Sequence, residues 1–137
     1  MNSFAAKKAR TAHEISGIVL TAAIKVHTTL GAGLLESVYE ACLAFELRAQ
    51  GLLVETQVAL PVVYESIKLE AGYRIDLIVE GSVLIEVKSV DTLAPVHHAQ
   101  TLTYLKLSGK SLALLINFNT ARLKDGIKRY VNGTDWK

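Results

Sequence analysis

YRIDLIVEGSVLIEVKSV, residues 73–90, sets two aliphatic runs on either side of the tripeptide EGS. Branched residues bounded by a short polar break predict an antiparallel hairpin. Asp76, Glu86 and Lys88 interrupt its apolar pattern. Side chains alternate along a strand, so Glu86 and Lys88 share one face, about 7 Å apart. Val83, Ile85 and Val87 take the other face. Asp76 has the opposite parity to Ile75, Leu77 and Val79, and antiparallel pairing across EGS brings it beside Glu86.

Two carboxylates and an ammonium on one patch have a chemical use. Carboxylate oxygens suit a hard cation such as Mg2+ or Mn2+, which keeps waters for a substrate. Such an ion polarises a phosphodiester and activates water. Lys88 then orients that water or neutralises charge on the phosphate, and is not read as a free-standing base. The competing reading is a surface ion pair on a solvent-facing sheet, worth about 0–1 kcal/mol.

Upstream of the hairpin, Ile15, Ile18, Val19, Ala22, Val26 and Leu30 recur at helical spacing and predict an amphipathic helix over residues ~11–30. GAG at 31–33 ends it, since glycine accepts the left-handed cap conformation. A second helix is expected from Leu34 to Gln50, with Leu35, Val38, Tyr39, Cys42 and Leu43 inward and Gly51 closing it. LVETQVALPVVYE reads as a strand broken or edged at Pro61, because proline donates no ladder hydrogen bond. IKLEAGYRIDLIVE continues in strand. Downstream, a third helix is expected near His97–Leu107, after Pro95. SLALLINF reads as a strand covered on both faces, and a last helix is expected around Ala121–Tyr130. This order predicts an α/β fold with a central mixed sheet between helices.

A chain of 137 residues, half of them hydrophobic, forms a real core and is expected to be a single domain over 1–137. A net charge of +2 permits a nucleic-acid partner without arguing for one. Cys42 is the only cysteine, which excludes an intrachain disulfide and a thiolate zinc cage; its helical, apolar neighbours make it a small core residue. The opening MNSFAAKKAR is basic, but no apolar stretch long enough for a signal or membrane span follows. A soluble cytoplasmic protein without membrane contact is the expectation.

Asp76, Glu86 and Lys88 form the pattern D-x9-E-x-K, which resembles the core signature of the PD-(D/E)XK nuclease superfamily. GLLESVY at 33–39 resembles the motif of the GxxExxY protein family, a group placed in that superfamily. The likeness runs from KVHTTLGAGLLESVYEACLAFEL through the hairpin and HHAQTLTYLKLSG to LLINF. One departure is Ile75, where the superfamily name has a proline that varies among members.

The resemblance implies a restriction-endonuclease-like three-layer sandwich and a metal-dependent nuclease acting on DNA or RNA. It implies that Asp76, Glu86 and the Val87 backbone carbonyl hold Mg2+ or Mn2+. It also implies that Lys88 is catalytic and that Glu36 supplies an acid from the first core helix. Gln100 and Tyr104 resemble a Q-x3-Y element, and their spacing puts both on one helix face, to touch substrate or brace Lys88. The rival expectation is a non-catalytic nucleic-acid-binding or protein-interaction module of the same fold. A small-molecule phosphoesterase comes third. A homodimer is expected on symmetry grounds, because the domain is small for gripping a duplex alone.

The remaining polar residues carry less. Glu36 also suits the positive end of a helix dipole. Tyr39 is expected beneath the site with its hydroxyl on a polar neighbour, and Asn117 at a turn. His27 is a minor candidate for the metal, and His97 and His98 enter a helix. Lys106, Lys110, Arg122, Lys124, Lys128 and Arg129 are a candidate basic rim, though scattered cations are usually solvated surface.

Overall fold

The computed structural model describes residues 9–137; the basic stretch read at residues 1–10 lies outside them up to residue 8. Helix α1 (Ala12–Leu30) starts at a capping box, in which Thr11 Oγ1 accepts from the Glu14 amide and Glu14 Oε1 accepts from the Thr11 amide, both at 3.1 Å. It stops at Gly31, whose φ of 73° suits glycine. Helix α2 (Glu36–Ala49) follows. The strands are β1 (Val54–Ala59), β2 (Val62–Tyr64), β3 (Ile67–Leu69), β4 (Arg74–Val79), β5 (Val83–Lys88), β6 (Leu112–Asn117) and β7 (Ile127–Val131). Helix α3 (Pro95–Ser108) crosses from β5 to β6.

The central sheet has the order β1-β4-β5-β6-β7, with β5–β6 parallel and its other pairings antiparallel. A parallel pair needs a crossover connection, and α3 supplies it. Helices α1 and α2 cover one face through a core that includes Val19, Leu43, Leu77, Ile85 and Leu114. A smaller cluster of Ile75, Ile78, Leu84, Tyr104 and Leu105 seals α3 to the other face. The result is the expected α/β, three-layer arrangement, a mixed sheet flanked by helices. No helix among the described residues is long and apolar enough to cross a membrane.

Several expectations need correction. The helix expected around Ala121–Tyr130 is instead a short 3-10 turn (Leu123–Gly126) and then β7, paired with β6 from Leu112↔Val131 to Ile116↔Ile127. The spacing of Leu123, Ile127 and Tyr130 mimics a helix, but the open edge of β6 offers a full ladder, and tertiary pairing wins. Gly126 marks the switch: a Cβ there would sit 2.3 Å from the Asn117 carbonyl oxygen. Leu35 and Val38 are exposed, because α2 turns only its Tyr39–Leu43–Ala44–Leu47 stripe inward, and Leu30, the last residue of α1, is exposed at the helix end. Cys42 is half-buried at the core edge. IKLEAGYRIDLIVE splits at Gly72, whose φ is 83°, and β2–β3 form a separate two-stranded sheet.

Candidate active site

The β4–β5 ladder is regular from the turn as far as Leu77↔Ile85. The next pair in register would be Asp76 with Glu86, and there the backbone ladder ends. Side chains take over its hydrogen bonds. The Asp76 amide donates to Glu86 Oε2 and the Val87 amide donates to Asp76 Oδ2, both at 2.8 Å. Each acid thus reaches across to the backbone of the other strand, and the two carboxylates meet in the gap.

The disturbance extends to β1. Its register with β4 pairs Thr56↔Leu77 and Val58↔Ile75, so Gln57 stands opposite Asp76. Gln57 has a φ of 50°, a left-handed conformation uncommon outside glycine. Its side-chain amide donates to Glu40 Oε1 at 2.8 Å and to Asp76 Oδ1 at 3.2 Å. Along β4 the alternation slips at this same row. Ile75 packs on the α3 side with Ile78 and Leu84, whereas Leu77 and Val79 face α1 and α2. The expected shared face for Ile75, Leu77 and Val79 is therefore correct only beyond Asp76.

Burial shapes the charge of these acids. Glu86 is 3% exposed. Its pKa rises from the usual 4.5 to about 8, mainly through desolvation and then through Asp76; the Asp76 amide and Lys88 oppose the rise. Asp76 is also raised, first by burial, with the Val87 amide, Gln57 and Lys88 opposing and Glu36 adding. Lys88 is half-buried at the end of β5 and near enough for both acids to feel its charge. No ion pair joins it to either acid among the described residues. A surface ion pair on a wet sheet is thus not what this hairpin holds.

Helix α2 brings two more acids. Glu36 opens the helix, is exposed, and accepts weakly from the Ser89 amide at 3.4 Å. Glu40, one turn later, is half-buried; burial raises its pKa, and Asp76 adds to the rise. Sequence reasoning singled out Glu36 and passed over Glu40. The available signal was the four-residue spacing, which aims both at one patch. Gln57 had no such signal, since its role depends on a backbone conformation.

The GLLESVY stretch is built for placement. Gly33 takes a φ of 96°. The Tyr39 hydroxyl donates to the Gly31 carbonyl and accepts from the Leu34 amide, while its ring stacks on Phe118 at 4.6 Å. A buried tyrosine thereby pins the loop from which Glu36 starts.

On α3, Gln100 Nε2 donates to the Tyr104 hydroxyl at 2.9 Å. Tyr104 is raised in pKa by burial first and, further down, by Glu86 and Asp76, so its ring lies within electrostatic reach of the acids. No hydrogen bond from either residue to Lys88 occurs among the described residues. His27 lies elsewhere, its Nε2 2.8 Å from the Thr120 carbonyl oxygen. His97 caps its own helix, accepting from the Ala94 amide, and His98 meets the Tyr130 hydroxyl. Asn117 anchors the turn after β5, bonding both the amide and the carbonyl of Val90. Two of the candidate rim residues are engaged away from the acids. Lys110 reaches the Gly81 carbonyl at the opposite end of the hairpin, and Arg129 lies over the Trp136 ring at 4.8 Å.

Among the described residues no three metal-ligating side chains converge on one point. Asp76 and Glu86 face each other across the strand gap, and Gln57 ties the Glu40 carboxylate to the Asp76 side. A strand residue presents its amide and carbonyl on the same edge, so the Val87 carbonyl faces the gap that its amide enters. Two carboxylates and a backbone oxygen, completed by water, fit a Mg2+-like ion, which usually takes one or two protein carboxylates. A family model described as the PD-(D/E)XK nuclease superfamily matches residues 13–130. No curated protein and no solved structure matches the chain.

Proposed function

The chain belongs to the PD-(D/E)XK nuclease superfamily, and from that premise we propose that it is a divalent-metal-dependent nuclease that hydrolyses phosphodiester bonds of nucleic acid. The observation that carries this reading is the Asp76–Glu86 pair where β4 and β5 part, Glu86 buried and Asp76 half-buried, with Lys88 two residues beyond Glu86 on β5. Two acids held together with raised pKa values are costly to keep. A cation on them offsets that cost, so the local strain has a use.

In this reading Asp76, Glu86 and the Val87 carbonyl hold Mg2+ or Mn2+. When bound, the ion supplies an activated water and neutralises phosphate charge. Lys88 stabilises charge developing on the phosphate and orients the attacking water. The water oxygen bonds to phosphorus as the bond to the 3′-oxygen breaks; the water's proton leaves to solvent and the 3′-oxygen takes up a proton. Glu36 and Glu40 add acidic groups from α2 beside the pair, with Glu40 tied to Asp76 through Gln57. Gln100 steadies Tyr104 beside the acids. The pinned GLLESVY loop supports placing the chain in the GxxExxY group.

The test is cleavage of labelled single- and double-stranded DNA and RNA, with Mg2+, Mn2+ or chelator, wild type beside Lys88→Ala. Metal-dependent cleavage that Lys88→Ala abolishes supports the reading. Equal cleavage by both proteins, or none with any substrate, overturns it; binding without cleavage points to a non-catalytic module.

A further inference from the structure

One flank of α3, with Val62 of β2 and Tyr73 just ahead of β4, lines an open cleft of about 510 Å³. Val62 of β2, Val96 and Leu107 of α3 and the rings of Tyr73 and Tyr104 supply its apolar walls. Tyr104 is the floor, 5% exposed, with its hydroxyl fixed by Gln100. Tyr73 stands free at 46% exposure, its ring 6.0 Å from that of Tyr104 and tilted by 58°. Val96 and Leu107 are also exposed.

The lining narrows the occupant. Among the described residues no lysine, arginine or histidine lines the cleft, so a phosphate group would enter without a basic partner there. Among the same residues no aspartate or glutamate lines it, so a cation finds no carboxylate. What fits is flat and apolar on its faces and polar at its edge: an aromatic wall for stacking, with the Gln100 amide and a Thr103 hydroxyl for edge contacts. Position narrows it further. Tyr73 precedes Asp76 by three residues, about 10 Å of extended chain. Tyr104 lies within the electrostatic field of both Glu86 and Asp76. A nucleotide next to a phosphate held at those acids therefore reaches this cleft.

We propose that the cleft lined by α3, Val62 and Tyr73 receives one unpaired nucleobase of the substrate strand, so that the protein acts on single-stranded or frayed nucleic acid in preference to intact duplex. A base inside a duplex is stacked and paired and must be extruded to enter, whereas a single strand presents it freely. The inference rests on the nuclease reading of the neighbouring acids, and a binding measurement separates the two.

The probes are a fluorescein-labelled single-stranded oligonucleotide, the same strand with one abasic position placed along it in turn, and its fully paired duplex. Binding is read by anisotropy on the Lys88→Ala background, and cleavage by KM and kcat with Mg2+ or Mn2+. Tyr73→Ala is expected to weaken single-strand binding about tenfold, the scale of one lost base stack, raising KM more than kcat. Tyr73→Phe keeps the ring and restores affinity. One abasic position should mimic Tyr73→Ala in the wild type and add nothing to it. Duplex bound and cleaved as well as single strand, or single-strand affinity unmoved by Tyr73→Ala, overturns the inference while leaving the nuclease reading intact. Tyr73-dependent binding of single strands with no cleavage by wild type upholds the cleft and removes the nuclease. Absence of binding and cleavage alike removes both.

Discussion

The two ends of the β4–β5 hairpin are built from the same kinds of strand and meet opposite fates. At the turn end, Leu77↔Ile85, Ile78↔Leu84 and Val79↔Val83 continue the backbone ladder, and these six residues are buried. At the other end, one row further, the strands exchange carboxylates for ladder bonds through Asp76 and Glu86. The first end is satisfied by its own backbone and closes. The second spends side-chain acceptors on backbone donors and opens a polar gap inside a sheet. A closed hairpin stabilises the molecule, and an open one costs stability while gathering charge. That trade is common where chemistry is done.

The comparison breaks most sharply on activity. Asp76→Ala, Glu86→Ala and Lys88→Ala are each expected to lower metal-dependent cleavage by about 100-fold or more, with an unchanged circular dichroism spectrum. A variant at the open end that unfolds the protein would show that this end is structural. At the closed end the reverse holds. Ile85→Ala removes a fully buried side chain and is expected to cost about 2–5 kcal/mol in urea unfolding.

Acidity sharpens the contrast next. With Glu86 raised from 4.5 to about 8, the native chain keeps a proton there that the unfolded chain releases. The native state binds more protons at Glu86 between those values, so this group's contribution to stability is fully present below about pH 4.5 and is lost as the pH rises toward 8. Thermal unfolding in chelator should show this decline, and Glu86→Gln should flatten it. A divalent cation held by the same acids, as proposed above, would displace the proton, so calorimetry in buffers of different ionisation enthalpy should register proton release below about pH 8. A pH-independent Tm in chelator would contradict the buried, protonated acid.

The smallest effect concerns Gln57. Gln57→Ala loses the bridge to Glu40 and Asp76 yet keeps the left-handed backbone at φ 50°, and is expected to cost about 1 kcal/mol. Gln57→Gly loses the same bridge but relieves the backbone, and should be the more stable of the two. Equal stabilities would mean that the conformation carries no strain.

Legibility in the sequence followed the range of the interaction. Alternation and a short turn were enough to pair Asp76 with Glu86, because register across EGS involves only neighbouring residues. The helix face of α1 was readable for the same reason, and so was the fully covered strand β6. Where a distant partner decided, reading failed. Residues 127–131 became a strand because β6 had an open edge, and Leu35 faced solvent because α2 found its partners on another side. Glu40 shared its helix turn with Glu36, but only the position of α2 over β4 makes it part of the site.

The two opening helices, the acid–acid–lysine signature on one hairpin and the crossover helix leading into β6 were legible in the sequence alone, since local periodicity and backbone preference specify them. The tertiary structure alone decided that the hairpin parts at Asp76, that Gln57 bridges two acids and that Glu86 is buried deeply enough to hold a proton near neutral pH. Those properties come from desolvation and from which strands lie alongside, and neither exists until distant segments of the chain have packed together.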